Sequence, residues 1–167
     1  ILSISKVESG TSDLDRNLVS LKELILNMHE LYEPIAESDG IKLNYEVNED
    51  IVINGNYNLL SQALANLIEN AINYGCSNNK PSINVGAKKN ENLLSIWVSD
   101  NGIGIKEIDK DKVLERFVRL DASRSLKGSG LGLSLVNSVV KFHEGSLKLI
   151  NAKPSGLIVL IEIPIDA

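Results

Sequence analysis

The segment "NLIENAINYG", residues 66–75, carries three asparagines inside a helical pattern. Leu60, Leu64, Leu67 and Ala71 recur at steps of three and four, as on the buried face of a helix. Asn66, Asn70 and Asn73 fall on a separate stripe, within about 60° of one another at helical pitch. Asn is a mediocre helix former, because its amide competes for backbone hydrogen bonds. A stripe of three therefore asks for a task. An amide oxygen is a hard ligand that suits Mg²⁺ and adds no charge beside phosphates. Asn70 and Asn66 are the candidate metal ligands, directly or through water. An amide pair that caps neighbouring loops is the alternative.

Two glycine clusters follow, "DNGIGI" at 100–105 and "KGSGLGLSLV" at 127–136. Neither ends in the Gly-Lys-Ser/Thr of a Walker A loop. Gly128, Gly130 and Gly132 have the wrong spacing for a dinucleotide fingerprint, and no strand precedes them. The second cluster runs directly into an apolar helix, whose first N–H groups suit a phosphate. The first cluster closes the strand pattern "LLSIWVS" and puts Asp100 at a sheet edge. The glycines after it let a flat ligand approach the backbone. A carboxylate there can accept from an exocyclic amine such as that of adenine. For either cluster alone, a tight turn is the competing reading. Between them, Arg116, Arg119, Arg124 and Lys127 stand against Asp121 alone. That is either a solvated basic loop or a lid over polyphosphate.

The elements that must position these groups can be read from periodicity. A helix is expected over 17–36, with Leu18, Leu21, Ile25, Met28, Tyr32 and Ile35 on one face and Gly40 closing it. "IKLNYEV" and "IVIN" read as strands, and the asparagine helix as about 57–74. "PSINVGAKK" and "ENLLSIWVSD" form a hairpin around Asn90 and Glu91. A helix over 131–143 and a closing hairpin, "GSLKLIN" with "GLIVLIEIPI", complete the chain. Residues 1–9 read as a short helical remnant ended by Gly10. The mixture favours a two-layer α/β sandwich, a mixed sheet with helices on one face.

Bulk properties bound the function. The chain has 167 residues, 43% of them hydrophobic and 23% charged, which suits one packed domain. A net charge of −5 argues against a broad nucleic-acid or anionic-membrane surface. Cys76 is the sole cysteine, so no internal disulfide forms and a reducing compartment is expected. The longest apolar run, "GLIVLIEIPI", is short and contains Glu162, so it does not span a bilayer. The chain begins at Ile1 and reads as a fragment whose parent can be membrane-anchored.

In combination these elements resemble the ATP-binding catalytic domain of sensor histidine kinases, within the wider group that includes HSP90, type II topoisomerases and MutL. The likeness covers about residues 40–165 and is colinear. "NLIENAINY" is similar to the N box, "DNGIGI" to the G1 box, "ERFVRLDASRS" to the F-box region and "GSGLGLSLV" to the G2 box. One box alone is a weak signal, and four in order are highly specific. The resemblance implies the Bergerat fold, a five-stranded mixed sheet with helices on one face and ATP held between helices and a lid. It implies that Asn70 ligates Mg²⁺ with help from Asn66, that Asp100 binds the adenine amino group, and that Tyr74 packs near the nucleotide. It places Asn73, Gly102, Gly104, Ile105 and Ser129 around ATP. Arg119 and Lys127 approach the phosphates, and the backbone of Gly130, Leu131, Gly132 and Leu133 lines the lid hinge. Asn70 is then the main catalytic candidate. Glu69 matches the acid that activates water in the ATPase relatives, and Arg119 is a further candidate.

Some positions depart from the pattern. Asn73 replaces the usual lysine, Leu114 a phenylalanine and Ser129 a threonine, and "HEG" at 143–145 replaces "HGG". His143 reads as a structural residue, a cation suited to a helix C-terminus. The resemblance assigns 1–16 to the end of a dimerisation helix and its linker, and 17–167 to the catalytic domain. The expected reaction moves the γ-phosphoryl of Mg·ATP to a histidine on a dimerisation domain that precedes Ile1. The rivals are an ATPase module of the same superfamily and a non-catalytic nucleotide-sensing module. The implied partners are the dimerisation domain and a response regulator, with no nucleic acid, a monomeric fragment and a cytoplasmic location. "HELYEP" at 29–34 mimics a phosphoacceptor box. Tyr32 and Glu33 replace its usual Arg and Thr, and His29 follows the dimerisation remnant, so His29 is expected to be structural.

Overall fold

Alternation of buried and exposed residues along 82–90 and 93–100 builds the central hairpin, β4 (Ser82–Asn90) and β5 (Leu93–Asp100). Glu91, at φ 57, makes the turn. The computed structural model describes residues 15–74, 79–102, 132–153 and 155–165. The other elements are β1 (Asn17–Ser20), α1 (Leu21–Ser38), β2 (Lys42–Glu46), β3 (Val52–Gly55), α2 (Tyr57–Tyr74), α3 (Gly132–Phe142), β6 (Ser146–Asn151) and β7 (Leu157–Pro164). Five strands form one mixed sheet in the order β2-β4-β5-β7-β6. The β2–β4 pair is parallel and the rest are antiparallel. The two expected hairpins and the mixed sheet of five strands are therefore present.

One sheet face is buried beneath the helices. Ile83, Val85, Leu94, Ile96, Val98, Ile161 and Ile163 pack there against Leu24 and Ile25 of α1, Leu64 and Ile68 of α2, and Val136 and Val140 of α3. The register puts Gly86, Trp97, Leu160 and Lys148 side by side on the other face. There the Trp97 indole N–H donates to Asn84 Oδ1 at 2.8 Å. None of the described helices is long and apolar enough to cross a membrane.

The helix expected over 17–36 instead begins at Leu21. Asn17–Ser20 is extended and pairs antiparallel with β3 as a separate two-stranded sheet. Ser20 caps the helix: its Oγ accepts from the Glu23 N–H at 3.1 Å and donates to Asp50 Oδ1 at 2.6 Å, an arrangement worth about 1 kcal/mol. The expected apolar face is corrected as well. Leu18 is 80% exposed and Ile35 49%, while Leu24 and Ala36 are fully buried. Gly40 closes α1 as expected, with its N–H on the Glu37 carbonyl. Residues 1–14 and the basic segment lie outside the described residues.

Candidate nucleotide site

The asparagine helix is anchored at its start by three partners of one residue. The Asn56 side-chain oxygen accepts from the Leu59 N–H at 2.9 Å, as an N-cap. Its side-chain amide donates to the Asp15 carbonyl at 2.8 Å. Its backbone N–H donates to His143 Nε2 at 3.0 Å. His143 directly follows α3, and its Nδ1 donates to the Val139 carbonyl at 2.8 Å. The imidazole lies so close to the preceding turn that a Cβ on Gly55 would stand 2.8 Å from Nε2. Arg16 clasps the same corner. Its guanidinium donates to the Phe142 carbonyl at 2.5 Å and lies 4.2 Å over the Phe142 ring. Asp15 and Arg16, expected in the linker, are thus bonded to the domain.

His143 is structural, as expected, but as a neutral ring. Burial pushes its pKa below 6.5, the hydrogen bond to Val139 opposes that, and the Arg16 charge adds to it. A protonated Nε2 could not accept from Asn56. The folded pKa is the lower one, so stability is complete above pH 6.5 and falls as acid protonates the unfolded chain first. We expect a loss of at most about 1.4 kcal/mol per pH unit below that point, ending at the folded pKa. Melting curves from pH 7.5 to 5 check this, and that part of the slope should vanish in His143→Gln.

From this anchor α2 presents its amide stripe. Asn66 and Asn70 are half-buried, while Glu69 and Asn73 are exposed. The Tyr74 backbone ends the helix. The end of α3 adjoins the start of α2, and the two helices pack together. The 11 residues of α3 rise about 16 Å, the length of roughly eleven residues on α2. The start of α3, where the first N–H groups of a helix are open, therefore lies about that distance from the Asn56 corner.

Asp100 ends β5 on the sheet face under α2, opposite Ile83 at the start of β4. Its Oδ1 accepts two backbone N–H groups, Gly102 at 2.9 Å and Leu157 at 3.3 Å. Both donors engage the same oxygen. Burial pushes the Asp100 carboxyl above its usual 3.8, and the two N–H bonds pull it back down. Gly156, at φ +114, lets the start of β7 press on this residue: a Cβ there would lie 1.8 Å from the Asp100 carbonyl oxygen. Asn101 ties the rim, accepting from the Ser82 N–H and donating to the Lys80 carbonyl, both at 2.9 Å. On the open face of the sheet, behind Asp100, a cavity of about 330 Å³ is lined by Ser82, Asn84, Ser99 and Lys153.

Asn66 and Asn70 thus stand on the second half of α2, Asp100 and Gly102 at the end of β5, against which α2 packs, and Leu133 in the first turn of α3. Leu133 is the exception by side chain, since it is 5% exposed and belongs to the core. Gly104, Ile105, Arg119, Lys127, Ser129, Gly130 and Leu131 lie outside the described residues. His29 is held elsewhere. Its Nε2 bonds the Leu43 carbonyl at 2.8 Å and its ring meets Tyr45 edge-on at 4.9 Å. These residues line a larger groove of about 640 Å³ along the β2 edge that contains none of the site residues. Sequence reasoning missed Gly156, Asn56 and the Tyr32 partner of Glu69; of these only Asn56, an N-cap residue type directly before Tyr57, has a local signal.

Among the described residues no three His, Cys, Asp or Glu side chains converge as a metal cage. The donors that α2 offers are amide and carboxylate oxygens. That set fits Mg²⁺, which prefers few protein ligands and keeps waters and phosphate oxygens.

The model of the family described as histidine kinase-, DNA gyrase B- and HSP90-like ATPases matches residues 55–167. The sensor-like histidine kinase SenX3 of Mycolicibacterium smegmatis is 30% identical over 166 residues, covering 98% of this chain and 43% of SenX3. The sensor histidine kinase RppB of Synechocystis is 30% identical over 99% of this chain and 37% of its own length. The chain therefore spans less than half the length of these relatives. Among solved structures, the catalytic domain of the histidine kinase ThkA superposes with a TM-score of 0.75 at 25% identity, covering 90% of this chain and 97% of that one. The mycobacterial sensor histidine kinase MprB gives 0.72 at 27% identity, covering 89% and 97%. The chain belongs to the histidine kinase-, DNA gyrase B- and HSP90-like ATPase family, and within it is an ATP-binding catalytic domain of the histidine kinase class.

Proposed function

We propose that this domain binds Mg·ATP at the end of its helical layer and transfers the γ-phosphoryl group to a histidine of a dimerisation domain elsewhere in a longer protein. One observation carries this reading: the Asp100 carboxylate ends β5 on the sheet face under α2, with Oδ1 taken by two backbone N–H donors. Oδ2 accepts from the adenine amine. Asn70, with Asn66, holds Mg²⁺, which when bound neutralises phosphate charge. The α3 N–H groups, with Arg119 and Lys127, receive the phosphates. Tyr74, Asn73, Gly104, Ile105, Ser129, Gly130 and Leu131 complete the nucleotide surround. In the transfer the γ-phosphorus bonds to the acceptor nitrogen as its bond to the β-bridging oxygen breaks, and ADP leaves. Positioning and charge neutralisation are most of what this reaction demands.

Glu69 orients metal-bound water. Residues 1–16 lead in from the dimerisation helix, residues 17–167 form the catalytic unit, and a cytoplasmic response regulator receives the phosphoryl group. Calorimetric titration with ATP, with Mg²⁺ and with EDTA, tests the site. Asn70→Ala should remove most of the Mg²⁺-dependent gain in affinity and leave the chain folded without nucleotide, since the position lies off the core stripe and its truncation opens no core cavity. A large loss of stability instead would make the asparagines structural. With γ-labelled ATP the label should reach an added dimerisation fragment and not His29, so acid-labile label lost in His29→Gln would overturn the acceptor assignment.

A further inference from the structure

Tyr32 lies in the buried stripe of α1, 7% exposed. Its hydroxyl donates to Glu69 Oε2 at 2.5 Å, a bond between residues 37 apart in sequence. Burial, this bond and the nearby carboxylate charge hold the phenol far above its usual 10, so it stays a donor at any working pH. A Phe ring would fill the same space, and the hydroxyl is what reaches across to α2. Glu69 immediately precedes Asn70 and flanks the amide stripe on the α1 side, about 60° around the helix from Asn66. As an exposed side chain it would otherwise sample several rotamers, at an ordering cost of about 1–2 kcal/mol. The bond occupies Oε2 and leaves Oε1 outside it.

We propose that Tyr32 is a positioning residue for the nucleotide site: its hydroxyl holds the Glu69 carboxylate beside Asn70, so that α1 fixes the group that orients metal-bound water. This rests on the Mg·ATP reading above. Glu69 is the group at the site, and Tyr32 acts only through it. The coupling also makes α1 part of the site, so a shift of α1 against α2 would change how Mg·ATP is held.

The test uses the 167-residue chain and the ratio of ATP affinity in Mg²⁺ to that in EDTA, for Tyr32→Phe, Glu69→Gln, the double variant and Asn70→Ala. Tyr32→Phe should lower that ratio about three- to tenfold, less than the full worth of a hydrogen bond to a charged group because the bond acts only through the orientation of Glu69, with affinity in EDTA unchanged. Glu69→Gln should lose as much or more, and the double variant no more than Glu69→Gln alone, because both changes act on one interaction. The ratio is taken within each variant, so a change in stability does not mask it. A Tyr32→Phe chain with the full ratio beside a deficient Glu69→Gln overturns the positioning role, as do losses that multiply in the double variant. Full ratios in both Glu69→Gln and Asn70→Ala overturn the metal site itself, and the proposal with it.

Discussion

Asp100→Asn should leave the chain folded and cost ATP roughly tenfold to a hundredfold in affinity, the value of a charge-assisted hydrogen bond. The geometry fixes why an amide fails. Two N–H groups, those of Gly102 and Leu157, point at one oxygen of residue 100. An asparagine must turn its own carbonyl toward them, so its NH₂ takes the place of Oδ2. A donor then meets the adenine amine, which is also a donor, and the pairing is lost. The same amide keeps both internal bonds, so the melting temperature without nucleotide should hardly move. Calorimetry with ATP and thermal melting together check this. Unchanged ATP affinity in a folded variant would place adenine elsewhere.

Gly156→Ala should do the reverse, damaging the fold first and the site through it. Its Cβ would lie 1.8 Å from the Asp100 carbonyl oxygen and 2.8 Å from Asn101 Cα, both backbone atoms with no rotamer to escape into. The φ of +114 adds strain for any side chain. The start of β7 must move off β5, which takes the Leu157 N–H away from Asp100. We expect a loss of about 3 kcal/mol or more, a fall of roughly 6–12 °C in melting temperature for a domain of this size, with ATP affinity reduced as well. Wild-type melting would show that this corner is not a close contact in solution. The two variants separate the roles: one removes the ligand acceptor and spares the packing, and the other removes the packing that aims it.

The sequence by itself determined the elements whose signal is local. The period of Leu60, Leu64, Leu67 and Ala71 is a property of neighbours three and four apart, and it defined α2 and its amide stripe without any tertiary partner. Alternation over 82–100 and the turn at Glu91 gave the central hairpin in the same way, and the ordered motif boxes carried the family. The tertiary structure decided whatever depends on partners far along the chain. Residues 17–20 fit the apolar spacing of the helix that follows them, yet pairing with β3 makes them a strand, because an extended segment gains its hydrogen bonds only from a second segment. The charge of His143 follows from a partner 87 residues away: a ring that must accept from Asn56 in a buried corner cannot be the cation its helix terminus alone would favour. Which Asp100 oxygen is left for a ligand depends on Leu157, 57 residues on, and the orientation of Glu69 on Tyr32, 37 residues back. Spacing along a chain fixes which face a side chain occupies. Which atom of it remains to do chemistry is fixed only when a distant backbone or hydroxyl takes the others.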